Sequence, residues 1–351
     1  LPGSWIKIHQ PATNYNGNTE GAPIFAAKGT SGALWAWGIN DDGQLGHNNK
    51  TQYSSPVQLP GTTWSNVSMG GDNGKSCIAV KTDGTLWCWG GNLHGQLGLN
   101  NKTDYSSPRQ VGESNPDTWK IGSAGADYML GVKTDGTLWS WGYNEWYGML
   151  GQNSKTDYSS PKQVGTDTSW AYASAGRPGV SIAVKTNGTL WTWGNNSQGQ
   201  LGLNGPTGPG YSGRYSSPKQ VGTNTNWAYD KFQKITSGAN RVGAIKTDGT
   251  LWMWGNNANG ILGQNDTNKR SSPAQIPGTW EYVSTGARAT MAKKTDGTLW
   301  SWGYNYAGML GLNTTNPGNH HSSPVQIPGG WVEGVDSFVC AYGHGMALGK
   351  M

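Results

Sequence analysis

Histidines are the side chains of this sequence best suited to acid–base chemistry or metal binding. The chain has six of them: His9, His47, His94, His320, His321 and His344. They are scattered among Gly and Asn residues, and no serine in a nucleophile turn lies nearby. Nucleophilic or acid–base catalysis needs a base, an orienting partner and a positioned nucleophile. The pair His320–His321 could ligate a transition metal, although surface histidines more often bind nothing. The sequence therefore predicts no enzyme, no cofactor and no metal site.

Aromatic, arginine and single histidine side chains form a second set of candidates, which suits binding. Aromatic side chains are enriched at interface hot spots, and arginines hold carboxylate, sulfate or phosphate groups. The residues that we expect to bind a partner are Trp146, Tyr147, Tyr306, Tyr128, Arg177, Arg241, Arg288, His94 and Tyr342. The three arginines follow corresponding glycines and predict a basic arc. The alternatives are that the arginines match by coincidence, that the aromatic residues pack over a strand edge, and that the others touch nothing.

A ten-residue phrase, KTDGTLWxWG, positions these candidates. It recurs from Lys81, Lys133, Lys185, Lys246 and Lys294, with a looser copy from Lys28 to Gly38. Its two tryptophans are two residues apart, so both indoles point to one side of an extended strand. Thr-Asp-Gly suits a tight turn, and a short apolar strand precedes each copy. Each copy therefore predicts a β-hairpin.

The phrase belongs to a repeating unit of about fifty residues, and such a period decides the architecture of a chain. Strand-sized runs bounded by Gly, Asn, Asp and Pro recur throughout, and no long segment has helical spacing. With 56 Gly, 20 Trp and only 3 Phe, the core must be built from indoles and short aliphatic side chains. We expect an all-β chain forming one domain, 1–351, with units starting near residues 5, 64, 119, 170, 227, 280 and 331.

Charge, cysteine content and hydropathy exclude several classes of protein. Charged residues make up 13% of the chain, and the net charge of +5 arises partly from Lys-Thr-Asp turns that carry their own carboxylate. Such an excess does not make a nucleic-acid patch. Cys77, Cys88 and Cys340 match no zinc spacing, and the first two are poorly placed for a disulfide. No apolar run approaches the length of a membrane span. The first residue is Leu1, as in a processed product or a fragment.

Strand alternation sorts the loops by face. If the first strand of a unit runs upward, the Thr-Asp-Gly turns lie below, and two loop sets share the upper face. One set follows the first strand and the other follows Trp-Gly. These loops vary between units while the turns below are nearly uniform, and variable loops on a uniform frame suit recognition. We therefore expect the binding residues on the upper face.

The sequence GTLWxWGxNxxGQLG followed by SSPxQ resembles the repeats of the regulator of chromosome condensation family over essentially the whole chain. The resemblance implies a seven-bladed β-propeller of four-stranded antiparallel blades. Seven units have the first half of the repeat, but only six contain LWxWG. The seventh blade is therefore expected to be incomplete, or to be closed by the segment 1–9, by a continuation of the chain or by another chain.

The family includes exchange factors for a nuclear GTPase, a secreted inhibitor of β-lactamases and repeat proteins of bacteria and phages, so fold alone does not choose a function. The Trp-rich phrase is similar to repeats of phage structural and secreted bacterial proteins. We therefore expect a non-enzymatic binding scaffold on a virion or cell surface, outside the cell, that contacts a protein or a glycan. It would bind no nucleic acid and insert into no membrane, and its seventh blade could form an assembly contact. The alternatives are an inhibitor or regulator that caps a partner enzyme, and a nucleotide-exchange regulator.

Overall fold

The structure is a computed structural model. It describes residues 5–9, 24–28, 32–70, 75–112, 118–208, 213–230, 234–305, 308–313, 320–331, 338–340 and 345–347. For residues 5–9, 24–28, 338–340 and 345–347 only the backbone is described. Tyr306 and Tyr342, two of the predicted binding residues, lie outside the described residues.

Antiparallel sheets make up nearly all of the regular structure, as predicted. Six sheets have four strands each, paired in chain order. The strands of the first three are β1 (Trp5–His9), β2 (Ile24–Lys28), β3 (Ala33–Gly38), β4 (Tyr53–Gln58), β5 (Trp64–Gly70), β6 (Ser76–Lys81), β7 (Leu86–Gly90), β8 (Tyr105–Gln110), β9 (Trp119–Ala124), β10 (Tyr128–Lys133), β11 (Leu138–Gly142) and β12 (Tyr158–Gln163). Those of the next three are β13 (Trp170–Ala175), β14 (Val180–Lys185), β15 (Leu190–Gly194), β16 (Tyr215–Gln220), β17 (Ile235–Gly238), β18 (Arg241–Ile245), β19 (Leu251–Gly255), β20 (Arg270–Ile276), β21 (Trp280–Thr285), β22 (Ala289–Lys294), β23 (Leu299–Tyr304) and β24 (His320–Ile327). A two-stranded sheet of β25 (Phe338–Cys340) and β26 (Gly345–Ala347) follows.

The seven sheets close into a ring, and their first strands line its inner side. Each first strand contacts the next in the order β1, β5, β9, β13, β17, β21, β25, and β25 contacts β1 in turn. This is the predicted seven-bladed propeller, with each sheet a blade. The strand β1 pairs with β2 inside the first blade. Residues 5–9 therefore belong to the first blade, and the seventh blade has two strands among the described residues.

The hairpin prediction from the phrase is confirmed in each full unit. In the second blade Val80 pairs with Leu86 and Ala79 with Trp87. The turn closes through a bond from the Gly84 N–H to the Lys81 carbonyl, 2.9 Å. Gly84 has φ of +82°, which glycine adopts at no steric cost. In the fifth blade, Trp227 makes only an isolated bridge to Lys246, and β17 begins at Ile235.

In the second to sixth blades, the second tryptophan of the phrase fastens its blade to the preceding one. These five indoles are fully buried. Each Nε1–H donates to a loop carbonyl of the preceding blade at 2.7–2.9 Å. The pairs are Trp89 with Gln44, Trp141 with Gln96, Trp193 with Met149, Trp254 with Gln200 and Trp302 with Ile261. A buried indole N–H needs a partner, and here that partner lies across the blade junction.

A second bond crosses the same five junctions in the opposite direction along the chain. An asparagine with positive φ in the loop of one blade donates its backbone N–H to a serine carbonyl of the next blade's SSPxQ strand at 2.7–2.8 Å. The pairs are Asn48 with Ser106, Asn100 with Ser159, Asn153 with Ser216, Asn204 with Ser271 and Asn265 with Ser322. Asn tolerates the left-handed conformation better than most residues. The repeated Asn and Ser-Ser-Pro of the sequence are thus blade-joining elements.

Candidate partner-binding face

The two predicted loop sets do lie side by side on one face of the ring. Backbone N–H groups just after Trp-Gly donate to carbonyls of the loop after the first strand. Gly91 bonds Lys75 and Tyr143 bonds Asp127, both at 2.8 Å, and Asn195 bonds Gly179 at 2.9 Å. We call this side of the ring the loop face. It is held rigidly, because the loops share hydrogen bonds with each other as well as with the strands.

Trp146 and Leu93 stand out on the loop face. Among the described residues they are the two exposed large hydrophobic side chains, with 61% and 73% of their surface accessible. Leu93 lies in the loop between β7 and β8, and Trp146 in the loop between β11 and β12. Large apolar groups in solvent at one place on a rigid surface are typical of a protein-binding site.

The third blade projects Trp146 because its loop is one residue longer than the others. In the five other four-stranded blades the side-chain Oδ1 of an asparagine accepts the N–H of the fifth residue after it, as Asn92 does with Leu97 at 2.9 Å. Asn144 makes the same bond to Leu150, the sixth residue. The asparagine cap is kept, so the additional residue must be accommodated in the loop tip that carries Trp146 and Tyr147.

Aromatic rings continue from Trp146 in both directions. Its ring centroid lies 5.9 Å from Tyr143 and 6.2 Å from Tyr147, with interplanar angles of 75° and 88°. His94 stacks on Tyr143 at 4.5 Å. From the fourth blade, the Arg214 guanidinium lies 4.6 Å from the centroid of Tyr147. We call Leu93, His94, Tyr143, Trp146, Tyr147 and Arg214 the aromatic patch.

Carboxylates surround the aromatic patch. His94 Nδ1 is 3.9 Å from an oxygen of Asp157. Burial raises the pKa of Asp127, although the nearby charges of His94 and Lys75 oppose that shift. Burial also raises the pKa of Tyr143 to about 12, and the charges of Glu145, Asp157 and Asp127 add to the effect. The charges of three carboxylates therefore act on the Tyr143 hydroxyl, three residues from the exposed indole.

A groove of about 610 Å³ adjoins the aromatic patch. His94 and Leu93 form one of its walls, and Asp127 lies in its lining. Asp42 and Lys75 also line it and form an ion pair at 3.7 Å. The groove thus extends the apolar surface of the patch into a polar, charged depression between the first three blades.

Two predicted binding residues, Tyr128 and Arg241, are not part of the exposed surface. Each is the first residue of its blade's second strand, and each is buried. The Tyr128 hydroxyl accepts the Gly176 N–H at 3.1 Å and donates to the Val180 carbonyl at 2.7 Å. Arg241 Nη1 lies 2.7 Å from the Gly286 carbonyl. Both side chains satisfy backbone groups of the next blade, which is why they point inward instead of toward solvent.

The predicted basic arc is wrong because its middle residue, Arg241, is buried between two blades. Arg177 is half-buried, and burial lowers its pKa to about 10. Arg288 lies over the ring of Tyr304 at 5.3 Å. With Arg241 turned into the protein, the three guanidinium groups do not form a continuous exposed surface.

The aromatic patch brings together three of the predicted residues, Trp146, Tyr147 and His94, and adds three that were not predicted from the sequence. Leu93 could have been found as an aliphatic residue at a loop tip where three other units carry Asp41, Glu145 and Ser197. Tyr143 directly follows Trp-Gly, a position that varies between units and is also a tyrosine, Tyr304, in the sixth. No local signal indicates Arg214, since only the fold brings it to Tyr147, 67 residues earlier in the chain.

Metal ligands do not cluster in the described part of the chain, where no group of three or more His, Cys, Asp or Glu side chains is suited to a metal. No helix in the same residues has the length and apolar character needed to cross a membrane. Burial raises the pKa of Cys77 and Cys88, both free thiols in the second blade.

Comparison with known proteins identifies the repeat. Residues 31–73, 83–130, 135–179, 187–245, 248–292 and 296–348 each match the Regulator of chromosome condensation (RCC1) repeat. The chain is 30% identical over 261 residues to the Ultraviolet-B receptor UVR8 of Arabidopsis thaliana, covering 74% of this chain and 57% of that protein. It is 27% identical over 258 residues to the human E3 ubiquitin-protein ligase HERC2, covering 71% of this chain and 5% of the ligase. The chain thus spans little more than half of one relative and a small part of the other.

Solved structures with the same fold cover the chain from end to end. Human WBSCR16 superposes with a TM-score of 0.77 at 21% identity, covering 100% of this chain and 87% of that one. Prp20p of Saccharomyces cerevisiae, described together with its binding properties to Gsp1p and histones, also gives 0.77 at 16% identity, covering 100% and 93%. At these identities the likeness shows the fold alone.

The expectation of an extracellular scaffold on a virion or cell surface, with a virion component, a host surface protein or a glycan as partner, is wrong. The proteins that match are named as a light receptor, ubiquitin ligases and a mitochondrial protein of Arabidopsis thaliana. The Trp-rich phrase led to this wrong prediction because its residues join the blades. Its similarity to phage repeats therefore reflects the shared fold and not the location or function of the protein. With six matched repeats on a closed ring of blades, this chain belongs to the regulator of chromosome condensation (RCC1) repeat family.

Proposed function

We propose that the chain is a protein-binding module of a regulator, which recognises a partner protein inside the cell through the aromatic patch and catalyses no reaction itself. The observation that carries the proposal is Trp146, an indole 61% exposed on a loop that is anchored on both sides. Exposing an indole to water is unfavourable, and burying it against a partner recovers that free energy.

The relatives support a regulatory role. A receptor and ubiquitin ligases carry this repeat, and the aligned region is only 5% of HERC2, so the repeat is one part of a larger protein there. Prp20p, which shares the fold, is described as binding proteins of two kinds, Gsp1p and histones. A ring of blades with one variable face fits the same use here, because the strands supply rigidity and the loops supply contacts.

The test is capture of partners from an extract of the source organism by the wild-type chain and by two variants, with the bound proteins identified by mass spectrometry. Trp146→Ala removes the indole from the aromatic patch. Lys120→Ala is the control, because Lys120 is also exposed but lies at the start of β9, at the opposite end of its blade. Circular dichroism checks that both variants fold.

We expect at least one protein to be retained stoichiometrically by the wild-type chain and by Lys120→Ala, and to be lost with Trp146→Ala. If every captured protein is retained equally by the two variants, the aromatic patch is not the binding site and the proposal fails.

A further inference from the structure

Five internal sites of this protein show how two indoles hold a lysine. In each, the first tryptophan of a phrase and the tryptophan that opens the unit lie 6.0–6.4 Å apart with interplanar angles of 68–80°. The lysine of the same phrase places its ammonium 3.8–5.2 Å from both ring centroids. The five lysines are Lys81, Lys133, Lys185, Lys246 and Lys294. We call this arrangement a lysine corner.

The pair Tyr143 and Trp146 has the dimensions of a lysine corner. Its rings are 5.9 Å apart at 75°, within a tenth of an ångström of the closest internal pair and inside the internal range of angles. Among the described residues, no lysine or arginine of this chain lies over either ring. Tyr147 differs, since Arg214 already covers it.

Negative charge is concentrated at the same place. Glu145 lies between the two rings in sequence and is exposed. The charges of Glu145, Asp157 and Asp127 all act on the Tyr143 hydroxyl. Each internal corner has a carboxylate or amide near its lysine within the Lys-Thr-Asp or Lys-Thr-Asn turn. A ring corner with carboxylates nearby attracts a cation through both the ring quadrupoles and the charges.

We propose that Tyr143 and Trp146 form a sixth lysine corner, open to solvent, which receives a lysine side chain from a basic segment of the partner protein. The inference rests on the proposed function and names the chemistry that the partner presents. Leu93 gives that segment an apolar residue to pack against, and the carboxylates pair with the ammonium. A lysine fits better than an arginine, because the five internal examples of this geometry all hold an ammonium.

The experiment uses a short acetylated peptide with one central lysine flanked by leucines, and the same peptide with norleucine in place of lysine. Norleucine keeps the aliphatic stem and removes only the ammonium. Binding to the full chain is followed by NMR of ¹⁵N-labelled indoles, with the Trp146 signal assigned by its loss in Trp146→Leu. We expect the lysine peptide to shift that signal and to bind about tenfold more tightly than the norleucine peptide.

Variants separate the ring corner from general attraction. Tyr143→Leu and Trp146→Leu should abolish the preference for lysine, and Trp146→Phe should keep part of it. Because Tyr143 is half-buried and its replacement could disturb the loop, Glu145→Gln is a second test on an exposed side chain. It should weaken lysine binding several-fold and reduce its dependence on salt. Lys120→Ala should change nothing.

Equal binding of the two peptides, including no detectable binding of either, overturns the lysine corner. If that happens while Trp146→Ala still loses its captured partner, the proposed function stands and only this inference fails. If the lysine preference is found but no captured protein depends on Trp146, the corner exists and the proposed function fails.

Discussion

Arg214 of the fourth blade covers the ring of Tyr147 in the third, 4.6 Å from its centroid, and donates Nη1 to the Trp146 carbonyl at 3.3 Å. One side chain thus contacts both aromatic residues at the tip of the longest loop of its kind. It holds the loop at the backbone of Trp146 through this hydrogen bond. Arg214, at the end of the insertion in the fourth unit, therefore helps to hold the aromatic patch of the third blade.

Arg214→Met should loosen this loop and weaken binding at the aromatic patch. We expect the affinity for the captured partner to fall about three- to tenfold, with little change in thermal stability, because the contact is a partly exposed cation–π pair with one hydrogen bond. Arg109→Met is the matched control, since Arg109 lies over Tyr105 at 5.0 Å on an outer strand. Calorimetric titration and thermal unfolding of both variants measure the two effects, and equal losses of affinity would contradict the assignment.

Trp141→Phe should destabilise the chain more than Trp139→Phe. The substitution removes the bond to the Gln96 carbonyl, leaves that acceptor buried and opens a cavity, which together cost about 2–4 kcal/mol. Trp139 is half-buried and its indole N–H donates to the Thr137 hydroxyl in its own turn. Phenylalanine keeps an aromatic ring beside Lys133, so the substitution should cost about 1 kcal/mol. Chemical denaturation followed by circular dichroism gives the comparison. Similar losses would mean that the bond across the junction contributes little.

Gly95→Ala should be far more disruptive than Gly112→Ala, although both glycines have positive φ, +76° and +82°. A Cβ at Gly95 would lie 2.7 Å from Cα of Ser159 in the third blade. A Cβ at Gly112 would meet nothing within 4 Å. We expect about 1 kcal/mol for the backbone strain at Gly112 and at least about 3 kcal/mol at Gly95. Thermal unfolding measures the loss of stability in the two variants. The difference between them gives the destabilisation caused by the steric clash between neighbouring blades.

The aspartates of the Thr-Asp-Gly turns should make the free energy of unfolding depend on pH in the acidic range. Bonds from the Thr137 hydroxyl and N–H lower the pKa of Asp135, and Asp83, Asp248 and Asp296 are shifted in the same way. A lowered pKa in the folded state stabilises the protein above the unfolded value of about 4, and that contribution is lost as the pH falls through the folded value. We therefore expect the midpoint of denaturation to drop progressively below about pH 4.

Asn187 provides a natural comparison for this acid effect. In the fourth blade it replaces the aspartate and accepts the same two bonds from Thr189, at 3.1 and 2.8 Å. Asp135→Asn should therefore retain most of the stability at neutral pH and reduce the loss in acid. Asp135→Ala should cost about 1 kcal/mol at neutral pH. Equal stability of the Asn and Ala variants would show that the turn bonds do not matter.

The hairpins of the repeated units could be predicted because their residue types favour a particular local backbone conformation. Alternation placed both tryptophans of a phrase on one side of the strand, and Asp-Gly fixed the turn between Lys81 and Leu86. A seventh blade was also anticipated, and two of its strands lie among the described residues. Local pattern did not show that β17 begins only at Ile235, because Trp227 looks the same in sequence as the tryptophans that open other blades.

The site was predicted in part, and the errors share one physical cause. Tyr128 and Arg241 stand just after variable loops, which suggested exposure, yet a blade buries whatever side chain starts its second strand against the next blade. Burial of these side chains between neighbouring blades depends on how the blades pack in the ring. The sequence pattern of a single unit carries no information about that packing. Trp146 was found because an indole at a loop tip is unusual in itself. Arg214 was missed because its contact is with another unit.

Five of the junctions between blades carry the same pair of bonds, one through an indole and one through an asparagine N–H. Neighbouring blades at these junctions are therefore joined by the same two kinds of hydrogen bond. Duplicating, deleting or exchanging a unit would create no new kind of blade junction. The number of repeats could therefore change while the hydrogen bonds between neighbouring blades are kept. The loop residues that lie between these bonded positions are then free to differ from unit to unit.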